Sequence, residues 1–123
     1  MTQPEREAFT DVLVYAMYAD RSLSLSEDEA FETEMAGLAW AEGDGTLPKS
    51  DYVNQSITRA RGIRRHTIEE DEFLAARAQV LQGQQTRQRL LDALENVTWA
   101  DGDEAGDERT LKQRLRDLLG ASG

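Results

Sequence analysis

Apolar residues recur at helical spacing along the whole chain, and no stretch alternates apolar with polar as a half-buried strand would. Proline occurs only at Pro4 and Pro48. The pattern predicts an all-α fold, a compact bundle of about six helices forming a single domain over residues 1–123. The first helix is expected over 4–19, with Phe9, Val12, Leu13 and Ala16 in one stripe. Thr2 and Glu5 have the spacing of a capping box, and Pro4 suits a first turn. A second box, Ser26-x-x-Glu29, opens a helix that presents Phe31, Met35, Leu38 and Ala39 and runs to near Gly43. The third helix spans 50–65, with Val53, Ile57 and Ala60 inward. Thr67-x-x-Glu70 caps a fourth that carries Phe73, Leu74, Ala78 and Leu81 and breaks at Gly83. The fifth covers 85–99, with Leu90, Leu91, Leu94 and Val97 inward. The sixth starts near Asp107, carries Leu111, Leu115, Leu118 and Leu119, and stops at Gly120. The longest candidate loop is 43–48, too short to separate domains.

Two parts of this pattern match each other. A constant offset lays Phe9 over Leu90, Asp11 over Asp92, Leu13 over Leu94, Ala16 over Val97, and Tyr18-Ala19-Asp20 over Trp99-Ala100-Asp101. Past the turn the offset shortens by one residue and lays Asp28 over Glu108, Phe31 over Leu111, Met35 over Leu115 and Leu38 over Leu118. Amphipathic helices overlap easily, so the shared aromatic-Ala-Asp ending is the informative part. The expectation is a pseudo-repeated helix–acidic turn–helix unit, over 5–41 and again over 86–120.

Charge sharpens the picture. The formal net charge is −10, with 24 acids against 14 bases. Residues 1–51 hold 12 acids and 3 bases, whereas residues 52–98 hold 6 acids and 7 bases. Such a field repels phosphate backbones and anionic lipid and favours cations and basic protein surfaces. No nucleic-acid partner is expected. The one basic cluster, Arg59, Arg61, Arg64 and Arg65, is expected to pair with the acidic first half, within the chain or between subunits. The first residues lack a basic start followed by an apolar run, and no stretch nears the ~20 apolar residues of a membrane span. The expected location is the cytoplasm.

Candidate chemistry narrows quickly. Absence of Cys excludes disulfides and thiol chemistry, and with His66 as the single histidine no zinc site of nitrogen and sulfur ligands can form. Gly43-Asp44-Gly45 is too short and acidic to cradle phosphate, and no triad or nucleophile elbow is marked. Trp40 and Trp99 are expected at the core or its edge. The chain is not expected to be an enzyme.

What remains is acid at the turns. Asp101-Gly-Asp-Glu-Ala-Gly-Asp-Glu108 places five carboxylates in eight residues, the oxygen donors that calcium and magnesium take. Asp20 and Asp101 close their helices, where a carboxylate meets the negative helix end and a bound cation would reverse the penalty. The alternative is equally physical: these aspartates accept backbone N–H bonds in Asx turns, and Asp28, Asp107 and Glu108 favour a helix start. The second turn begins like an EF-hand at Asp101, Asp103 and Gly106. Ala105 and Lys112, at its fifth and twelfth positions, break that pattern.

At these turns, Tyr18-Ala19-Asp20 with Ser26-x-x-Glu29 and Trp99-Ala100-Asp101-Gly102 with Glu108, the chain resembles the tellurite-resistance TerB-like family. The resemblance implies a compact all-helical, non-enzymatic domain associated with bacterial stress responses. It implies divalent metal at Asp20, Glu29, Asp101 and Glu108; the carboxylates of the second turn by themselves add Asp103 and Asp107 as candidate donors for calcium or magnesium. Arg21 stands where the family's turn has glycine. The competing reading is an acidic interaction module that docks a basic protein without metal.

Overall fold

The computed structural model describes residues 2–19, 25–38, 40, 48–64, 67–97 and 106–120. Among these residues the chain is helical without strands: α1 Gln3–Ala19, α2 Leu25–Ala36, α3 Lys49–Gly62, α4 Ile68–Val80, α5 Gln84–Val97 and α6 Gly106–Gly120. One apolar core draws side chains from all six.

α1 is the central helix. Every residue from Ala8 to Met17 is buried, around the full circumference. A helix that is apolar on all sides must be wrapped on all sides, and α3, α4 and α5 pack against it. α2 lies on α5, and α6 lies on α4 and α5. The expected box at the start of α1 is complete. The Thr2 N–H donates to Glu5 Oε1 at 2.8 Å, and the Glu5 N–H donates to Thr2 Oγ1 at 3.3 Å. The backbone hydrogen bond from Thr2 holds the Glu5 carboxyl below its usual range.

Helix ends depart from expectation where side chains intervene. α2 stops at Ala36 rather than near Gly43. Its last turn tightens, with the Gly37 N–H on the carbonyls of Thr33 and Glu34 and the Leu38 N–H on Met35 O at 3.2 Å. Guanidinium groups then take the carbonyls that follow. Arg89 Nη2 donates to Gly37 O at 2.7 Å, and Arg6 Nε donates to Leu38 O at 2.8 Å. Orphan carbonyls and the negative helix end both favour cations there. A Cβ on Gly37 would meet Arg89 Nη2 at 3.1 Å, so the bare glycine admits the close approach. α5 treats α4 in the same way, with Arg87 donating to the carbonyls of Leu81 and Ala78.

α3 ends at Gly62, short of Arg65, because Ile63 turns extended. Its buried face is Tyr52, Ser56 and Ala60, while Val53 and Ile57 are half-buried at the flank. The helix is thus rotated from the purely apolar stripe, and two hydroxyl groups face α1. α4 follows expectation: Thr67 is the N-cap and accepts the Glu70 N–H at 3.2 Å, and Phe73, Leu74, Ala78 and Leu81 are buried. In α5 the buried residues are Leu90, Ala93, Leu94 and Val97; among the described side chains of α6 they are Leu115 and Leu119, and the Leu111 side chain lies outside the described ones. Leu91 and Leu118 pack at the core edge, as does Trp40, whose ring lies 5.3 Å from that of Tyr52.

Candidate functional site

The acids singled out in the turns are placed only in part. Asp20, Asp101 and Asp103 lie outside the described residues, as do the side chains of Asp107 and Glu108, which follow Gly106 in the first turn of α6. Glu29 sits on α2 with its side chain exposed, and its carbonyl accepts the Thr33 hydroxyl at 3.0 Å. α2 begins at Leu25, so Ser26 stands inside the helix rather than before it. Among the described residues no group of three or more carboxylate or histidine side chains is placed to hold a metal ion. His66 and Trp99 also lie outside the described residues.

The described polar chemistry is internal, at two carboxylates that the sequence reading did not mark as buried. Asp11, on the central helix, is 3% exposed. Its Oδ1 accepts Ser56 Oγ at 2.8 Å and Arg59 Nη1 at 3.0 Å, and its Oδ2 accepts Arg77 Nε at 3.1 Å. The Tyr52 hydroxyl lies 3.1 Å and 3.0 Å from the two oxygens. A carboxylate offers about four acceptor positions, and four side chains from α3 and α4 converge on this one. Burial, and then the negative charge of Asp11, push the Tyr52 phenol up to about 12.

Glu70, in the first turn of α4, is fully buried. It accepts the Tyr15 hydroxyl of α1 and an Arg114 N–H of α6. Arg114 also reaches Asp71 at 2.7 Å. The two clusters meet through Phe73: the Arg77 guanidinium lies 4.3 Å above its ring, and the Tyr15 ring is 5.4 Å away. Together they tie α1 to α3, α4 and α6 by charge-assisted bonds in a setting where an unpaired carboxylate would be costly. Acceptors occupied this fully hold helices in place.

Both acids had a legible signal. Ala8 to Met17 is apolar on every side except at Thr10 and Asp11, so a wrapped helix must take Asp11 inside with it. Glu70 shares a helical face with Phe73, Leu74 and Arg77, at spacings of three, four and seven. The run Glu69-Glu70-Asp71-Glu72 hides it among like charges. Asp92, which the repeat lays over Asp11, is instead exposed and accepts Gln88 at 3.0 Å.

Several arginines serve internal acceptors, whereas Arg116 pairs with Glu95 at the surface at 2.9 Å. Besides those on Asp11, Glu70 and helix carbonyls, Arg61 lies 5.3 Å over the Tyr18 ring. Among the described residues, no cation pairs with the exposed Glu29, Glu32, Asp51, Glu69 or Glu72. One open cleft of about 190 Å³ separates α2 from α3, floored by Phe31, Met35 and Val53, with Glu32 and Lys49 at its rim. Compared with family models, with curated proteins and with solved structures, the chain finds no match.

Proposed function

We propose that this chain is a non-enzymatic, TerB-like, stress-associated domain that works through acid held at its surface and turns, with calcium or magnesium as the ligand of the α5–α6 turn. The observation that supports this reading is the division of charge. The interior carboxylates Asp11 and Glu70 are saturated by arginine and tyrosine. Outside, Asp71 and Glu95 pair with Arg114 and Arg116, whereas the exposed Glu29, Glu32, Asp51, Glu69 and Glu72 have no ion pair among the described residues. In sequence the acid-rich stretch from Asp101 to Glu108 follows α5, which ends at Val97, and runs into the first turn of α6, and α5 and α6 pack on each other. Carboxylates this dense in the sequence are the oxygen donors that a hard cation takes. The proposed duplication pairs this turn with the one between α1 and α2.

Titration with calcium and with magnesium, followed by backbone NMR, tests the site. Shifts confined to residues 101–108 are expected. Weak shifts spread over every acidic surface would replace a site by charge screening. Asp101→Asn with Asp103→Asn should abolish the confined shifts and leave the helices intact.

A second reading has its own support. Arginines used inside leave a molecule of net charge −10 with uncompensated carboxylates on α2 and α4. A surface of that sign attracts a basic protein without any metal.

A further inference from the structure

We propose that the cleft between α2 and α3 docks a basic amphipathic segment of a partner protein. An apolar side chain would sit on Phe31, Met35 and Val53, and Lys or Arg side chains would meet Glu29 and Glu32. The inference rests on the second reading above and gives it a place and a partner chemistry.

The cleft follows from the packing. α2 packs on α5 while α3 packs on α1, and the cleft is lined by residues of α2 and α3. Its volume of about 190 Å³ is below the ~300–1,000 Å³ of sites for drug-sized molecules, and suits one or two side chains. The floor is apolar: Phe31 and Val53 line it together with Met35, which is itself buried and whose sulfur accepts the Thr10 hydroxyl at 3.5 Å. An amphipathic helix laid in a groove uses this kind of anchor.

Charge then selects the occupant. Glu29 and Glu32 are exposed three residues apart, on one edge of α2, and Asp51 is exposed at the start of α3. No cation among the described residues pairs with them. The first 51 residues hold 12 of the 24 acids against only 3 bases. Lys49 stands on the α3 rim, so the partner's basic residues fall on the α2 side, which sets the direction of docking.

Calorimetric titration and NMR of the full chain test this with three synthetic helical peptides. The first has a leucine face and a lysine face, the second replaces leucine by serine, and the third replaces lysine by glutamate. The leucine–lysine peptide should bind and shift amides around residues 31–35 and 49–54. Glu32→Lys and Val53→Trp should each weaken it about tenfold, while Glu72→Lys on α4 leaves it unchanged. Because Val53→Trp fills a half-buried position, Glu32→Lys at an exposed one decides the matter if the first fails to fold. A serine–lysine peptide that binds as tightly as the leucine one overturns the cleft and leaves the acidic-surface reading standing. Equal binding of the glutamate peptide overturns the charge argument, and failure of both lysine peptides to bind sinks the second reading with it.

Discussion

A single carboxylate at position 11 decides how the central helix is held. Asp11 gathers two guanidinium groups and two hydroxyl groups from α3 and α4. Removing one member of such a buried set leaves the rest uncompensated, which costs about 3–5 kcal/mol. Asp11→Ala should therefore lower the unfolding free energy by that amount in a urea titration, far more than Asp92→Ala, whose carboxylate is exposed. Tyr52 offers a pH readout. Its phenol is pushed from the ordinary 10.0 up to about 12. Below pH 10 it is protonated in the folded and the unfolded chain alike. Between about 10 and 12 the unfolded chain loses the proton first, so stability falls as pH rises through that window. Ultraviolet titration should show a late phenol ionisation that Tyr52→Phe removes. A titration above pH 10 that Tyr52→Phe leaves unchanged would contradict the burial of this phenol against Asp11.

Each helix boundary records a local contest that its own sequence states only in part. Thr67-x-x-Glu70 reads as a capping box, and Thr67 does cap α4. The Glu70 side chain meanwhile goes into the core, to Tyr15 and Arg114. The two roles separate by mutation. Thr67→Ala should cost about 1 kcal/mol, the value of a cap. Glu70→Ala should cost about 3–5 kcal/mol, the value of a broken buried ion pair. Thermal or urea unfolding of the two variants checks the order, and equal losses would mean that Glu70 serves the helix start alone. α2 makes the complementary point. Its apolar spacing runs on through Leu38, yet the helix stops at Ala36 because Arg6 and Arg89, remote in sequence, take the carbonyls of Leu38 and Gly37. Arg89→Ala should speed amide exchange in the last turn of α2 by removing that cap.

Over the whole molecule, charge and packing pull in different directions. A net charge of −10 on 123 residues repels itself. Much of the positive charge that could offset it is held at buried carboxylates and helix ends. The melting temperature should accordingly rise when sodium chloride is raised from about 0.01 M to 0.15 M, as the Debye length contracts from roughly 30 Å to 8 Å. A melting temperature independent of salt would show the surface acids to be locally neutralised. The apolar faces of α1, α4, α5 and α6 were legible because the 3.6-residue period writes them directly into the chain: Phe9, Leu13, Phe73, Leu74, Leu90, Leu94, Leu115 and Leu119 are all buried as spaced.

The sequence by itself determined an all-α chain with helices near their observed positions, since periodicity and caps are local properties. It also determined where acid accumulates, because carboxylate-rich turns such as Asp101 to Glu108 are written contiguously. Only the tertiary structure decided that α1 lies at the centre, that α3 turns Tyr52 and Ser56 rather than Val53 and Ile57 toward it, and which two acids enter the core. Those outcomes depend on arginines 48 and 66 residues away from Asp11 and 44 away from Glu70. An ion pair between distant residues leaves no periodic trace, and a buried carboxylate is spelled with the same letter as a solvated one.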